Sequence, residues 1–153
     1  MRVLFVCSGN TCRSPMAEVL LRRMLDEAGR DDITVTSAGS AAIDGAPASE
    51  GAYLVALEQG LDLSSHRARL LTPKLVEGAD LILTMSRGHL ARVARLGGAD
   101  RAHLLGEYAG LSGAGSEVRD PFGSDVETYR ATFMQLRVML AAARDRLLSG
   151  QSS

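Results

Sequence analysis

Cys7 and Arg13, with five residues between them in Cys7-Ser8-Gly9-Asn10-Thr11-Cys12-Arg13-Ser14-Pro15, are the pair most suited to chemistry in this chain. A free thiol has a pKa of about 8.5, and a helix N-terminus beside a guanidinium lowers it to roughly 3.5–7.5. Cys7 is therefore expected to be a thiolate at neutral pH. The planar fork of Arg13 can bond two oxygens of one anion, which a lysine cannot do. The six backbone N–H groups from Ser8 to Arg13 can curl around one centre, and a following helix adds its positive end. Gly9 permits close approach or positive φ, and Asn10 tolerates a left-handed conformation. Ser14 can offer its hydroxyl to the sulfur when the sulfur leaves. Singly, each residue suits a plain strand-to-helix turn. Together they describe a phosphate cradle of Ser8, Gly9, Asn10, Thr11, Cys12, Arg13 and Ser14 around a nucleophile.

The neighbouring elements must hold this loop. Val3-Leu4-Phe5-Val6 reads as a buried strand, and Ser14 with Pro15 reads as an N-cap followed by a first helical residue. Ala17, Leu20, Leu21, Met24, Leu25 and Ala28 recur at helical spacing up to a stop at Gly29. Ile33 to Thr36 alternates as a second strand, leading into Ser37-Ala38-Gly39, and a second helix ends near Gln59. Thr72-Pro73 opens a short helix, Leu81 to Thr84 is a buried strand, and a helix follows from about Ser86 to Leu96. His103 to Leu105 is a short fourth strand, and Gly106 to Gly123 is an irregular Gly-rich segment. Ser124-Asp125-Val126-Glu127 reads as a capping box before a long amphipathic helix carrying Tyr129, Phe133, Leu136, Leu140, Ala143 and Leu147 on one face. That face fits packing on a sheet, with a dimer coiled coil as the alternative. Ser149 to Ser153 reads as a frayed tail. The alternation predicts an α/β fold with a Rossmann-like four-stranded parallel sheet, helices on both faces, and the site at the carboxyl ends of the strands.

A chain of 153 residues suits one domain, 1–153, and 46% hydrophobic with 23% charged residues is ordinary for a globular protein. The net charge of −1 argues against a general nucleic-acid or membrane-surface binder. Met1-Arg2 leads straight into a strand, no stretch is long enough to cross a bilayer, and both cysteines lie in the loop. The expectation is a cytoplasmic, reducing location. His89 and His103 show no ligand spacing, so neither a metal nor another cofactor is expected. Oligomeric state is not legible.

Val6 to Pro15 resembles the signature of the low-molecular-weight protein tyrosine phosphatase family, over essentially the whole chain. Thr11 and Asp120-Pro121-Phe122-Gly123 resemble its bacterial protein arginine phosphatase branch, whereas tyrosine-specific relatives more often carry isoleucine in the loop and aromatic residues after the proline. The resemblance implies a phosphocysteine intermediate formed on Cys7 and a general acid at Asp120. Glu117 and Asp125 are the local carboxyl alternatives. It also implies that Asn10, Ser14, Ser37 and His66 form a network holding the strained loop.

The function so implied is hydrolysis of phosphoarginine on phosphorylated proteins, with Thr11 and Phe122 selecting the substrate. Thr11 leaves room and a polar tip for a guanidinium, and Gly123 weakens the wall expected around a phenol ring. Alternatives are a protein tyrosine phosphatase, a thiol-dependent arsenate reductase, and a catalytically silent phosphate-binding module. Cys12 has two readings: a small buried loop residue, or a redox partner that traps oxidised Cys7 as a disulfide.

Overall fold

A central strand buried on both faces can only be apolar throughout, and Val3 to Cys7 meets that demand. In the computed structural model, which describes residues 1–150, β1 (Arg2–Cys7) lies between β2 (Thr34–Gly39) and β3 (Leu81–Thr84). The strand β4 (Ala102–Leu104) completes an all-parallel sheet in the order β2-β1-β3-β4. Val3, Phe5 and Cys7 face one apolar layer, and Leu4 and Val6 face the other. The first layer is covered by α1 (Arg13–Glu27), α2 (Glu50–Glu58) and α6 (Val126–Leu148); the second by α3 (Pro73–Glu77) and α4 (Arg87–Arg95). The expected α/β architecture is the observed one.

The chain leaves β1 toward β2 on one side and later returns to β3 on the other. The carboxyl end of β1 is therefore the switch point at which open parallel sheets bind ligands. The loop of residues 8–12 sits there, running from β1 into α1.

Local chemistry differs from expectation in four places. Helix α1 begins at Arg13 with Cys12 at the cap position, two residues earlier than a Ser14 cap would allow, and the Ser14 hydroxyl is engaged by Cys7 and Asn10 rather than by the helix end. Strand β2 continues through Ser37 to Gly39, since Phe5, Val6 and Cys7 pair with Ser37, Ala38 and Gly39. A short helix, α5 (Leu105–Tyr108), follows β4 directly. Asp125, not Ser124, caps α6 and accepts the Thr128 N–H at 3.0 Å. The apolar face of α6 is spent within the chain: Tyr129, Phe133, Leu136, Leu140, Ala143 and Leu147 are buried in the layer that α1 shares. At about 1.5–3 kcal/mol for each large side chain taken from water, that burial explains α6 without a coiled-coil partner. Of the frayed-tail reading, Ser149 and Gly150 form a helix end and turn, and residues 151–153 lie outside the described residues.

Candidate active site

Asn10 is the pivot of the loop. It is the one non-glycine residue with positive φ (57°) among the described residues, and it is fully buried. A left-handed asparagine persists when its surroundings over-determine it. Its Nδ2 donates to Ser14 Oγ at 2.8 Å and to Ser37 Oγ at 2.9 Å. Its Oδ1 accepts the Arg69 N–H at 2.9 Å, and its carbonyl oxygen lies 2.7 Å from His66 Nε2. The Ser37 hydroxyl donates to Glu18 Oε1 at 2.5 Å, and Glu18 pairs with Arg22 at 2.7 Å. The expected quartet of Asn10, Ser14, Ser37 and His66 is thus one hydrogen-bonded group, joined by Glu18 and Arg69.

Cys7 ends β1 beneath the loop, 2% exposed, with its sulfur 2.8 Å from Ser14 Oγ. Because Asn10 occupies the Ser14 oxygen as donor, the Ser14 proton is free to point at the sulfur. Burial pushes the Cys7 thiol above its ordinary range; the Ser14 hydroxyl, the Ser14 and Asn10 backbone N–H groups and the Arg13 guanidinium pull it down. The expectation of a sulfur held low by helix and guanidinium is corrected on this point. Desolvation opposes the thiolate in the closed site, and these donors are the groups that favour it.

Arg13 is 5% exposed, and its groups are divided. Nη1 donates to the Val118 carbonyl at 3.0 Å, and Nη2 faces Asp120 Oδ2 at 3.5 Å. Its buried Nε has no hydrogen-bond partner among the described residues. A buried orphan donor is expensive. The Nε–Nη2 edge is the edge a guanidinium offers to a bidentate oxyanion.

These groups line a cavity of about 230 Å³ whose walls are Cys7, Ser8, Gly9, Thr11, Cys12, Arg13, Ala41, Asp120 and Phe122. Asn10 and Ser14 stand behind it, contributing to the sulfur rather than to the wall. Thr11 Oγ1 has only a 3.7 Å contact with Cys12 Sγ among the described residues, so its hydroxyl is free to turn inward. Asp120 is half exposed at the mouth, where Oδ1 accepts the Phe122 N–H at 3.1 Å, and Phe122 is 68% exposed. Glu117 and Asp125 do not line the cavity: Glu117 accepts the Arg87 N–H at 2.7 Å and Asp125 caps α6. Cys12 is buried with its sulfur 3.3 Å from Ser49 Oγ and 3.4 Å from Tyr129 Oη, and both cysteines are free. Burial and the Cys12 sulfur raise the Tyr129 hydroxyl to about 12, so it stays neutral.

Gly9 does not use positive φ, and a Cβ there would meet only Thr11 Oγ1 at 3.5 Å. The close approach falls to Gly39 instead, where a Cβ would collide with Ser8 O and lie 2.8 Å from Asn10 N. The segment carrying Asp120 is pinned by three further bonds: Val118 N–H to Met85 O at 2.8 Å, Arg13 to Val118 O, and Gln135 Nε2 to Glu117 O at 2.9 Å.

The spacing of His89 carries no signal of a site, and its place comes from the fold. It is buried at the start of α4, with Nε2 2.9 Å from Ser8 Oγ and Nδ1 3.0 Å from Ser86 Oγ. Burial and the Arg13 guanidinium hold its imidazole down at about 4, against the opposing charges of Asp120 and Glu117. The available signal was positional: a helix opening directly after a parallel strand presents its first turn to the site.

A family model described as low molecular weight phosphotyrosine protein phosphatase matches residues 2–148. A low molecular weight protein-tyrosine-phosphatase, PtpB, of Staphylococcus haemolyticus is 39% identical over 145 residues, covering 94% of this chain and 98% of that one. A protein-arginine-phosphatase of Geobacillus stearothermophilus is 34% identical over 152 residues, covering 98% of both. Among solved structures, a cysteine-to-serine mutant of a YwlE arginine phosphatase with a phosphorylated active-site serine superposes with a TM-score of 0.89 at 34% identity, covering 100% of both chains.

Proposed function

The chain belongs to the low-molecular-weight phosphotyrosine protein phosphatase family, and within that family we propose that it hydrolyses phosphoarginine on proteins through a phosphocysteine intermediate. The relatives include both tyrosine and arginine phosphatases, so the substrate must be argued from the cavity. The observation that carries the choice is Thr11, whose hydroxyl is held only by a long 3.7 Å contact with Cys12 Sγ among the described residues and stands in the cavity wall with Cys7 and Arg13. A guanidinium N–H of the substrate can donate to Thr11 Oγ1, and Asp120 at the mouth stands beside the same planar group, in place for proton transfer to its leaving nitrogen.

In the reaction, the phosphoryl oxygens take the loop N–H groups and the Nε–Nη2 edge of Arg13 as donors. Cys7 attacks phosphorus in line as a thiolate, the P–N bond breaks, and Asp120 gives its proton to the departing nitrogen. Water then attacks the phosphocysteine as Asp120 takes a proton from it. The P–S bond breaks, inorganic phosphate leaves, and the Ser14 hydroxyl stabilises the released thiolate. The phosphorylated serine in the YwlE arginine phosphatase mutant supports a covalent phosphoryl step at the position of the nucleophile.

A second reading, a tyrosine phosphatase, is favoured by the exposed Phe122 ring at the mouth, which could flank a phenol. An arsenate reductase would need an external thiol, because no cysteine follows Cys12. A silent binding module is disfavoured by Asp120, which faces Arg13 rather than away from the loop. The protein would work in a reducing, cytoplasmic setting, where both cysteines remain thiols. The deciding experiment compares kcat/KM for phosphoarginine and phosphotyrosine in the parent and in Thr11→Ile. The parent should prefer phosphoarginine and the variant should move toward phosphotyrosine; a parent that prefers phosphotyrosine overturns the arginine assignment.

A further inference from the structure

His89 has no role in the steps above, yet it is buried with both ring nitrogens engaged, one of them against Ser8, which lines the cavity. Proton counting gives one self-consistent direction for these bonds, which the charge of a bound phosphoryl group then selects. Ser86 Oγ accepts the backbone N–H of His89 as the cap of α4, so its own proton is available for His89 Nδ1. With Nδ1 accepting, the neutral ring carries its proton on Nε2 and donates to Ser8 Oγ. The one proton of Ser8 is thereby turned away from His89 and left for the cavity that Ser8 lines. The opposite chain would send the Ser8 proton to His89 and aim oxygen lone pairs at an incoming dianion, which is repulsive.

We propose that the Ser8 hydroxyl is a side-chain donor to the bound phosphoryl group, and that His89 is the positioning residue that fixes its direction through the relay Ser86–His89–Ser8. Ser8 thus adds a donor to the backbone ring, at a position where the loop residue is otherwise expected to contribute its N–H alone. The arrangement requires a neutral His89. The groups acting on it are Arg13 from α1 and Glu117 and Asp120 from the segment before α6, and the imidazole is held at about 4. The inference rests on the phosphoryl-binding reading of the cavity and is indifferent to the choice between phosphoarginine and phosphotyrosine.

The test titrates the protein with inorganic phosphate by calorimetry near pH 7 and measures hydrolysis of an aryl phosphate in parallel. Ser8→Ala should weaken phosphate binding about tenfold, the order expected for a hydrogen bond to a charged group. His89→Ala should cost a similar factor, His89→Gln should recover most of it by supplying an N–H near the Nε2 position, and Ser8→Ala/His89→Ala should be no weaker than Ser8→Ala alone. Long-range proton–nitrogen correlation spectra of the unmutated protein should show His89 as the Nε2–H tautomer. Unchanged phosphate affinity in Ser8→Ala, a full additional loss from His89→Ala in the Ser8→Ala background, or an Nδ1–H tautomer each overturns the proposal. A parent that binds phosphate but hydrolyses no aryl phosphate overturns the phosphatase reading instead, and the phosphate titration still decides the role of Ser8.

Discussion

The Ser14 hydroxyl lies 2.8 Å from the Cys7 sulfur while its oxygen receives a hydrogen bond from Asn10, also at 2.8 Å. One side chain therefore joins the nucleophile to the residue that holds the loop in its left-handed turn. Activity and loop conformation are coupled through this hydroxyl, since loss of either partner frees it to rotate.

Ser14→Ala should raise the Cys7 pKa further, because it removes the foremost of the groups pulling it down against burial. Alkylation by iodoacetamide, followed against pH, should show a midpoint moved upward and a slower rate at pH 7. An unmoved midpoint would mean that the hydroxyl does not stabilise the thiolate.

Asp120→Asn should lower kcat by about 10²–10⁴-fold for a substrate with a poor leaving group, the usual contribution of a general acid. The loss should shrink for an activated aryl phosphate, whose leaving group needs no proton. Cys7→Ser should abolish turnover of both. Equal losses with both leaving groups would assign Asp120 to binding Arg13 rather than to proton transfer.

Gly39→Ala should impair the site although residue 39 lies at the end of β2 and does not line the cavity. The added methyl would meet backbone atoms of Ser8 and Asn10, which cannot swing aside as a side-chain tip can. A drop in kcat/KM of at least about tenfold is expected, in line with the sensitivity of catalysis to sub-ångström misplacement. Phosphate titration should weaken with it, and parent-like kinetics would show that the loop tolerates displacement.

Stability should fall as the pH is lowered through a window set by His89. Its folded pKa of about 4 lies below the ordinary 6.5, so between these values the unfolded chain binds the proton more readily than the folded one. The contribution is complete above about pH 6.5 and is lost as pH falls toward 4. Urea unfolding at pH 7 and pH 4.5 should show a larger drop for the parent than for His89→Gln. Equal drops would show that His89 titrates normally in the folded protein.

Peroxide should inactivate the enzyme reversibly if Cys12 captures the oxidised Cys7 sulfur, condensing with its sulfenic acid to a disulfide and releasing water. Both cysteines are buried and free, and Cys12 is held by Ser49 and Tyr129. Thiol should then restore the parent but not Cys12→Ser. Equal recovery of both would leave Cys12 a packing residue.

The order of strands and helices, the strand-to-loop-to-helix passage at Cys7, and the pairing of Cys7 with Arg13 were legible in the letters, because each depends on spacing within a few residues. The cap of α1 is not legible for a local reason: a serine that looks like a cap is indistinguishable in sequence from one recruited by a neighbouring thiol. Only the tertiary structure decided that Gly39, not Gly9, makes room for the loop, that Arg69 and Glu18 complete the Asn10 network, and that His89 stands against Ser8. Those partners are brought together by parallel crossovers. Ser8 and His89 are separated by 81 positions, and Asn10 and Arg69 by 59. Hydrogen-bond direction and burial exist only once the sheet has set such residues side by side. Composition and spacing can nominate the atoms for a reaction, but the pull on a buried sulfur or imidazole comes from whichever dipoles the folded chain places around it.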